Sequence, residues 1–174
     1  MKRNAILYFF SVFLLFACAK ERNENRKSPK NIILLIADGT GLSQISAAFY
    51  YKDAPVHYQR FQNIGLIKTS SSRQKITDSG AGATAFASGV KTYNGAIGVA
   101  DDSISVRNLV EIASQKNLKT GVIATSSMTH ATPACFYAHA THRNQAEEIA
   151  TQLPASQLDF FAGGGLQFFN QRSD

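Results

Sequence analysis

The run "NIILLIAD", Asn31 to Asp38, constrains the fold more than any other stretch of the chain. Its six consecutive apolar residues, Ile32 to Ala37, have strand length and no alternation, the pattern of a strand covered on both faces. Strands of that kind belong to sheets flanked by helices, so crossover helices should follow. They do. "LSQISAAFYYK" reads as a helix and "IGLIKTS", Ile64 to Ser70, as a second strand. In "SVRNLVEIASQKN", Val106, Leu109, Val110 and Ala113 fall at i, i+3, i+4 and i+7, one helical face with Ser105 as its cap. Strand "KTGVIATSS" comes next, then a helix from Pro133, another through "NQAEEIATQL", and strand "LDFFAGGG" running into a glycine turn. The expectation is an α/β fold with a mainly parallel sheet.

The residues before Asn31 read differently. Lys2 and Arg3 precede the apolar "AILYFFSVFLLFA", Ala5 to Ala17, the layout of an export signal too short to span a bilayer well. "LFAC" then places Cys18 after a small residue, as in the lipobox of bacterial lipoproteins, although cleavage near Ala17 or Ala19 is the plainer alternative. Residues 1–18 are thus a signal peptide, 19–30 a polar tether, and 31–174 the folded domain. Signal and tether together carry +5 of the formal +6 net charge. The domain is close to neutral, so a nucleic-acid-binding reading loses its electrostatic footprint. With Cys18 lipidated, Cys135 has no partner for a disulfide.

Ligands in open α/β sheets bind at the carboxyl ends of strands. The polar residues just past the expected strands are Asp38, the group Thr77 to Ser79, and the group His130 to Thr132, which should converge. Asp38 at a strand tip before "GTG" suits a hard cation, or equally caps the next helix. A dinucleotide reading of "GTG" lacks its third glycine and sets a carboxylate where a pyrophosphate would lie. In "KITDSGAGATAFASG", Lys75 to Gly89, the small side chains allow close backbone approach, and Asp78-Ser79 falls where a helix would begin. Ser79 is there either a nucleophile activated by the helix terminus and a metal, or part of a simple cap. No G-x-S-x-G elbow surrounds it. In "THATPACFYAHATHR", His139 and His142 could be a solvated face, and Arg143 either complements a helix end or grips a phosphate with its planar fork.

Taken together, "IILLIADGTG", "TDSGAGATAFASGVKTYNGAIGV" and "HATPACFYAHATHR" occur in the order and spacing of the N-terminal part of an alkaline phosphatase, which the chain resembles from about Asn31 to Gly165. The resemblance implies a three-layer sandwich with a mainly parallel central sheet, present here as its N-terminal portion. It implies phosphomonoester hydrolysis through a phosphoserine on Ser79, with two zinc ions and one magnesium ion. Asp38 would bridge the magnesium and one zinc, Ser79 would also bind that zinc, and Thr132 would ligate magnesium. Arg143 would bind phosphate oxygens, with Asp78 orienting it. His130, where the best-known bacterial pattern has Asp, would sit beside the magnesium with one negative charge fewer.

The family's remaining metal ligands lie in the second half of a longer chain. After Arg143 this sequence has Glu147, Glu148, Asp159 and Asp174 and no histidine. The expectation is an N-terminal piece with negligible turnover by itself, held by lipid in the bacterial envelope, periplasm or outer membrane, and homodimeric in full-length form. The alternatives are a related phosphodiesterase or sulfatase, a non-catalytic phosphate- or partner-binding lipoprotein, and a relic without a stable fold.

Overall fold

The computed structural model describes residues 29–171. The signal, Cys18 and nearly all of the tether lie outside them. The chain divides into two units, Met1–Ile36 and Ala37–Asp174. In the described part of the first, residues 29–36 form neither helix nor strand, and Ile32, Ile33 and Leu35 are exposed.

In the second unit, helix α1 spans Leu42–Tyr51 and a 3-10 turn spans His57–Arg60. Helix α2, Ser79–Ser88, is followed by α3, Leu109–Gln115, strand β1, Gly121–Ser127, and the short α4, Ala131–Ala134. Helix α5, Ala146–Ala155, strand β2, Phe160–Gly164, and α6, Gln167–Asn170, complete the order. β1 and β2 pair in parallel, with Gly121 opposite Phe160 and Ile123 opposite Ala162, and the register breaks before Ser127 meets Gly164. The fold is α/β, with α4 and α5 on the crossover between two parallel strands.

Local chemistry explains the limits of α2. Asp78 is its N-cap and accepts from the Ala81 amide at 2.9 Å, and Gly89 ends it in the left-handed region at φ 73°. Such an N-cap is worth about 1 kcal/mol. Gly80, Ala81, Ala83, Thr84 and Ala87 are its buried residues, and that small-residue face packs against α4. The core continues through Ile97, Met128, Cys135, Tyr137, Ile149 and Leu153. Thr84, fully buried, is satisfied by donating to the Ala96 carbonyl and accepting from the Gly98 amide. Among the described residues no helix is long and apolar enough to cross a membrane.

Several expectations are corrected. Neither "NIILLIAD" nor "IGLIKTS" is a strand, and Ile64, Leu66 and Ile67 are exposed. A strand satisfies its backbone only through a neighbour, and the sheet among the described residues has two members, β1 and β2. α3 begins at Leu109 with Asn108, not Ser105, as its cap, because Asn108 and Glu111 form a reciprocal capping box. Val106 therefore precedes the helix. Pro133 lies inside α4, which begins two residues earlier at Ala131. Arg143 stands in a turn before α5 and not at a helix end.

Candidate active site

Asp38 occupies a tight turn closed by the Thr40 amide donating to the Ala37 carbonyl at 3.2 Å. Gly39 has φ 71° there, a conformation glycine adopts without steric cost. The turn presents both carboxylate oxygens of Asp38 to hydroxyls. Ser79 Oγ donates to Oδ1 at 3.2 Å, and Thr132 Oγ1 donates to Oδ2 at 2.7 Å. These partners lie 41 and 94 positions further along the chain, one on the first residue of α2 and the other in α4. The three groups expected at strand ends do converge.

Asp78 organises the other side. Its Oδ1 caps α2, while Oδ2 accepts from the Gly95 amide at 3.1 Å and from Arg143 Nη1 at 3.0 Å. Burial pushes its carboxyl pKa up, but the Ala81 and Gly95 amides and the Arg143 guanidinium outweigh that and hold it below the usual value. Arg143 Nη2 lies 3.2 Å from His130 Nε2. A guanidinium can only donate, so in this contact the imidazole accepts through Nε2 and carries its proton on Nδ1. One end of the Arg143 fork is thus fixed by a carboxylate and the other by an imidazole, both half-buried. The Arg143 backbone amide donates to the Gly95 carbonyl at 2.7 Å.

The remaining histidines of the motif lie elsewhere. His139 bridges Glu111 and the Gly98 carbonyl, at 3.0 and 2.6 Å. His142 packs its ring where a side chain on Gly95 would go, since a Cβ there would come within 2.8 Å of it. Sequence reasoning passed over Asn94, whose side chain accepts from the Asp78 amide at 3.1 Å and donates to the Ile76 carbonyl at 2.9 Å. The signal for it was its place in "YNGAIG", a polar residue before a glycine that must take positive φ (93°).

Asp38, Ser79 and Thr132 form an oxygen-only donor set around one carboxylate, which suits a hard divalent cation. Among the described residues no group of three or more His, Cys, Asp or Glu could hold a metal. The set fits a magnesium-type site in part, and it does not fit a complete zinc site with nitrogen ligands.

The fold and site define an α/β protein whose Asp-Ser helix start faces a second carboxylate on one side and an arginine on the other. Residues 29–170 match the family model described as alkaline phosphatase, and the chain belongs to that family. It is 36% identical to alkaline phosphatase 3 of Bacillus subtilis over 172 residues, covering 90% of this chain and 37% of that protein. It is 65% identical to the solved alkaline phosphatase of the Antarctic bacterium TAB5, with a TM-score of 0.83, covering 85% of this chain and 44% of that one. A His-to-Asp variant of the TAB5 enzyme, solved with Mg bound in its M3 site, matches at 64% identity and a TM-score of 0.83. The chain spans less than half the length of each.

Proposed function

We propose that these residues form the nucleophile-bearing part of a phosphomonoester hydrolase. The observation that carries the reading is the meeting of Ser79 and Thr132 on Asp38, with Arg143 locked to Asp78 one residue from the nucleophile. Asp38, Ser79, Thr132 and His130 would help hold divalent cations, magnesium on the oxygen donors and zinc only with further ligands from elsewhere. A cation bound there would favour ionised Ser79 and offset charge on the phosphate.

The chain's own residues then divide the work. The free guanidinium edge of Arg143 binds two non-bridging oxygens of the phosphate and holds phosphorus over Ser79 Oγ. Asp78 keeps that fork at a fixed angle, so little rotamer entropy is lost on binding. Asp38 accepts the hydrogen bond of the Ser79 hydroxyl in the resting state, and the N-terminus of α2 favours negative charge on Oγ. The Oγ–phosphorus bond forms as the ester oxygen leaves; Ser79 gives up its hydroxyl proton to solvent, and the leaving oxygen takes one from solvent to depart as an alcohol. Water then attacks the phosphoserine, returning the Ser79 hydroxyl and releasing inorganic phosphate. In a loose phosphoryl-transfer transition state such positioning and charge complementarity account for most of the catalysis.

We further infer that residues 1–18 are an export signal, that Cys18 is lipidated, that 19–30 tether a domain starting at Asn31 to a bacterial envelope membrane, and that the native-length protein dimerises. The signal-like apolar run before "LFAC" and the charged, apolar-poor tether support the export and tether readings.

The deciding experiment incubates the native-length protein with 32P-labelled monoester at low pH and maps the label. Label on Ser79, lost in Ser79→Ala, supports the reading. Phosphate retained without turnover would instead favour a binding protein. Residues 19–174 alone are expected to show negligible turnover of p-nitrophenyl phosphate.

A further inference from the structure

We propose that Asn94 is a positioning residue for the nucleophile, acting through the backbone of residues 76–78. The proposal rests on the reading of Ser79 as nucleophile. The Ile76 carbonyl and the Asp78 amide flank Thr77, the pair of groups that a neighbouring strand residue would engage. The Asn94 carboxamide fills both, Nδ2 donating to Ile76 at 2.9 Å and Oδ1 accepting from Asp78 at 3.1 Å. Only a side chain with a donor and an acceptor on one planar head can do this.

The next two residues extend the grip. Gly95 donates its amide to Asp78 Oδ2 and accepts the Arg143 amide on its carbonyl. The Ala96 carbonyl lies 2.8 Å from where a Cβ on Gly80 would stand, so α2 starts flush against this turn. Thr84 Oγ1 donates to the same carbonyl from one turn further along α2. Asn94 to Ala96 therefore set the approach of the chain to Ser79, the orientation of Asp78 and the backbone position of Arg143. None of the three touches the reacting atoms. A shift of about 1 Å in the Ser79 to Arg143 spacing can cost on the order of a hundredfold in rate.

The test compares Asn94→Ala with wild type in the metal-loaded, native-length protein. The expected result is a fall in kcat of about ten- to a hundredfold with KM changed by less than about threefold. The Asp78 amide should exchange with deuterium at least about tenfold faster, while Ala96 and Ile97 keep their protection. A merely structural loss would lower the melting temperature and the active fraction, so kcat is taken per active site, counted by phosphate trapped on the protein, and on that basis it would stay at the wild-type value. Wild-type exchange at Asp78, or an unchanged kcat, overturns the proposal. Should Asn94→Ala not fold, the isosteric Asn94→Asp keeps the acceptor and loses the donor. Its Asp78 amide should stay protected while kcat falls about threefold or more, and wild-type kcat would again be contrary. Ser79→Ala in parallel separates the two failures: retained turnover there sinks the nucleophile, and exchange at Asp78 then decides the brace alone.

Discussion

Arg143 and Asp78, 65 positions apart in the chain, meet through a single charge-assisted hydrogen bond of 3.0 Å. The same Asp78 oxygen takes the Gly95 amide and its other oxygen caps α2. One carboxylate thus starts the helix that carries Ser79 and holds the Arg143 guanidinium.

Replacing Arg143 by Lys should therefore not be conservative. A lysine keeps the charge but cannot hold Asp78 and His130 while offering a second edge to phosphate. The expected loss in kcat/KM is on the order of thirty- to a hundredfold, about 2–3 kcal/mol, with weaker inhibition by inorganic phosphate. Inhibition unchanged from wild type would remove Arg143 from phosphate binding.

Asp78 also predicts an acid limb of stability. Its folded pKa is depressed below 3.8, so the contribution is present above that value and is lost as pH falls through the folded pKa. Asp78→Asn should be less stable at neutral pH and should show a shallower decline below about pH 4 in acid unfolding followed by circular dichroism. An acid limb identical to wild type would show that Asp78 is not one of its sources.

Gly80→Ala tests close approach. Its Cβ would stand 2.8 Å from the Ala96 carbonyl oxygen and 3.2 Å from the Gly95 carbonyl carbon, both backbone atoms that cannot rotate away. Although alanine favours helix, the net effect should be destabilising by roughly 1–3 kcal/mol, read from denaturant unfolding. A stabilised variant would mean that the turn moves freely.

Magnesium activation should follow charge at position 130. His130→Asp adds a carboxylate two residues before Thr132, and the magnesium concentration for half-activation should fall. An unchanged value would refute the idea that the imidazole weakens this site. The same substitution should leave a partner for Arg143 Nη2 in place of the imidazole that lies 3.2 Å from it now.

Cys135 should be chemically silent. It is fully buried, and burial raises its thiol to about 11, opposed only in part by the Thr84 hydroxyl. Thiol reagent at pH 8 should modify it only after denaturation. Rapid modification in the native state would contradict the packing of α2 on α4.

How far the sequence could be read depended on how local each cause was. Asp38, Ser79 and Thr132 meet as expected, yet the strand-tip reason holds only for Thr132, which follows β1, since no strand precedes Asp38 or Ser79 among the described residues. Asp78 as a helix cap and Gly89 as a helix stop are local signals. Asn108 was missed although Asn-x-x-Glu is a capping box, because the apolar periodicity extends back to Val106 and drew the helix start toward Ser105. "NIILLIAD" and "IGLIKTS" show the converse limit: an apolar run states that burial is needed, and pairing decides whether a strand forms. For Asn94 the sequence marked a turn before Gly95 but not its bonding partners. Its partners, Ile76 and Asp78, lie 18 and 16 positions back, and no periodicity encodes a side chain that imitates a strand.

The turn from Tyr93 to Ala96 also bears on where this chain can change length. The segment after it closes upon itself, with Ala100 taking the Ile104 carbonyl and Ser103 at φ 67°. Residues added around Asp102 lengthen an exposed loop and leave both ends in register. One residue added between Asn94 and Ala96 would slide Asp78 and Arg143 relative to each other. The spacing of Ser79 and Arg143 is thus counted from this turn, and insertions in the exposed loop around Asp102 need not alter it.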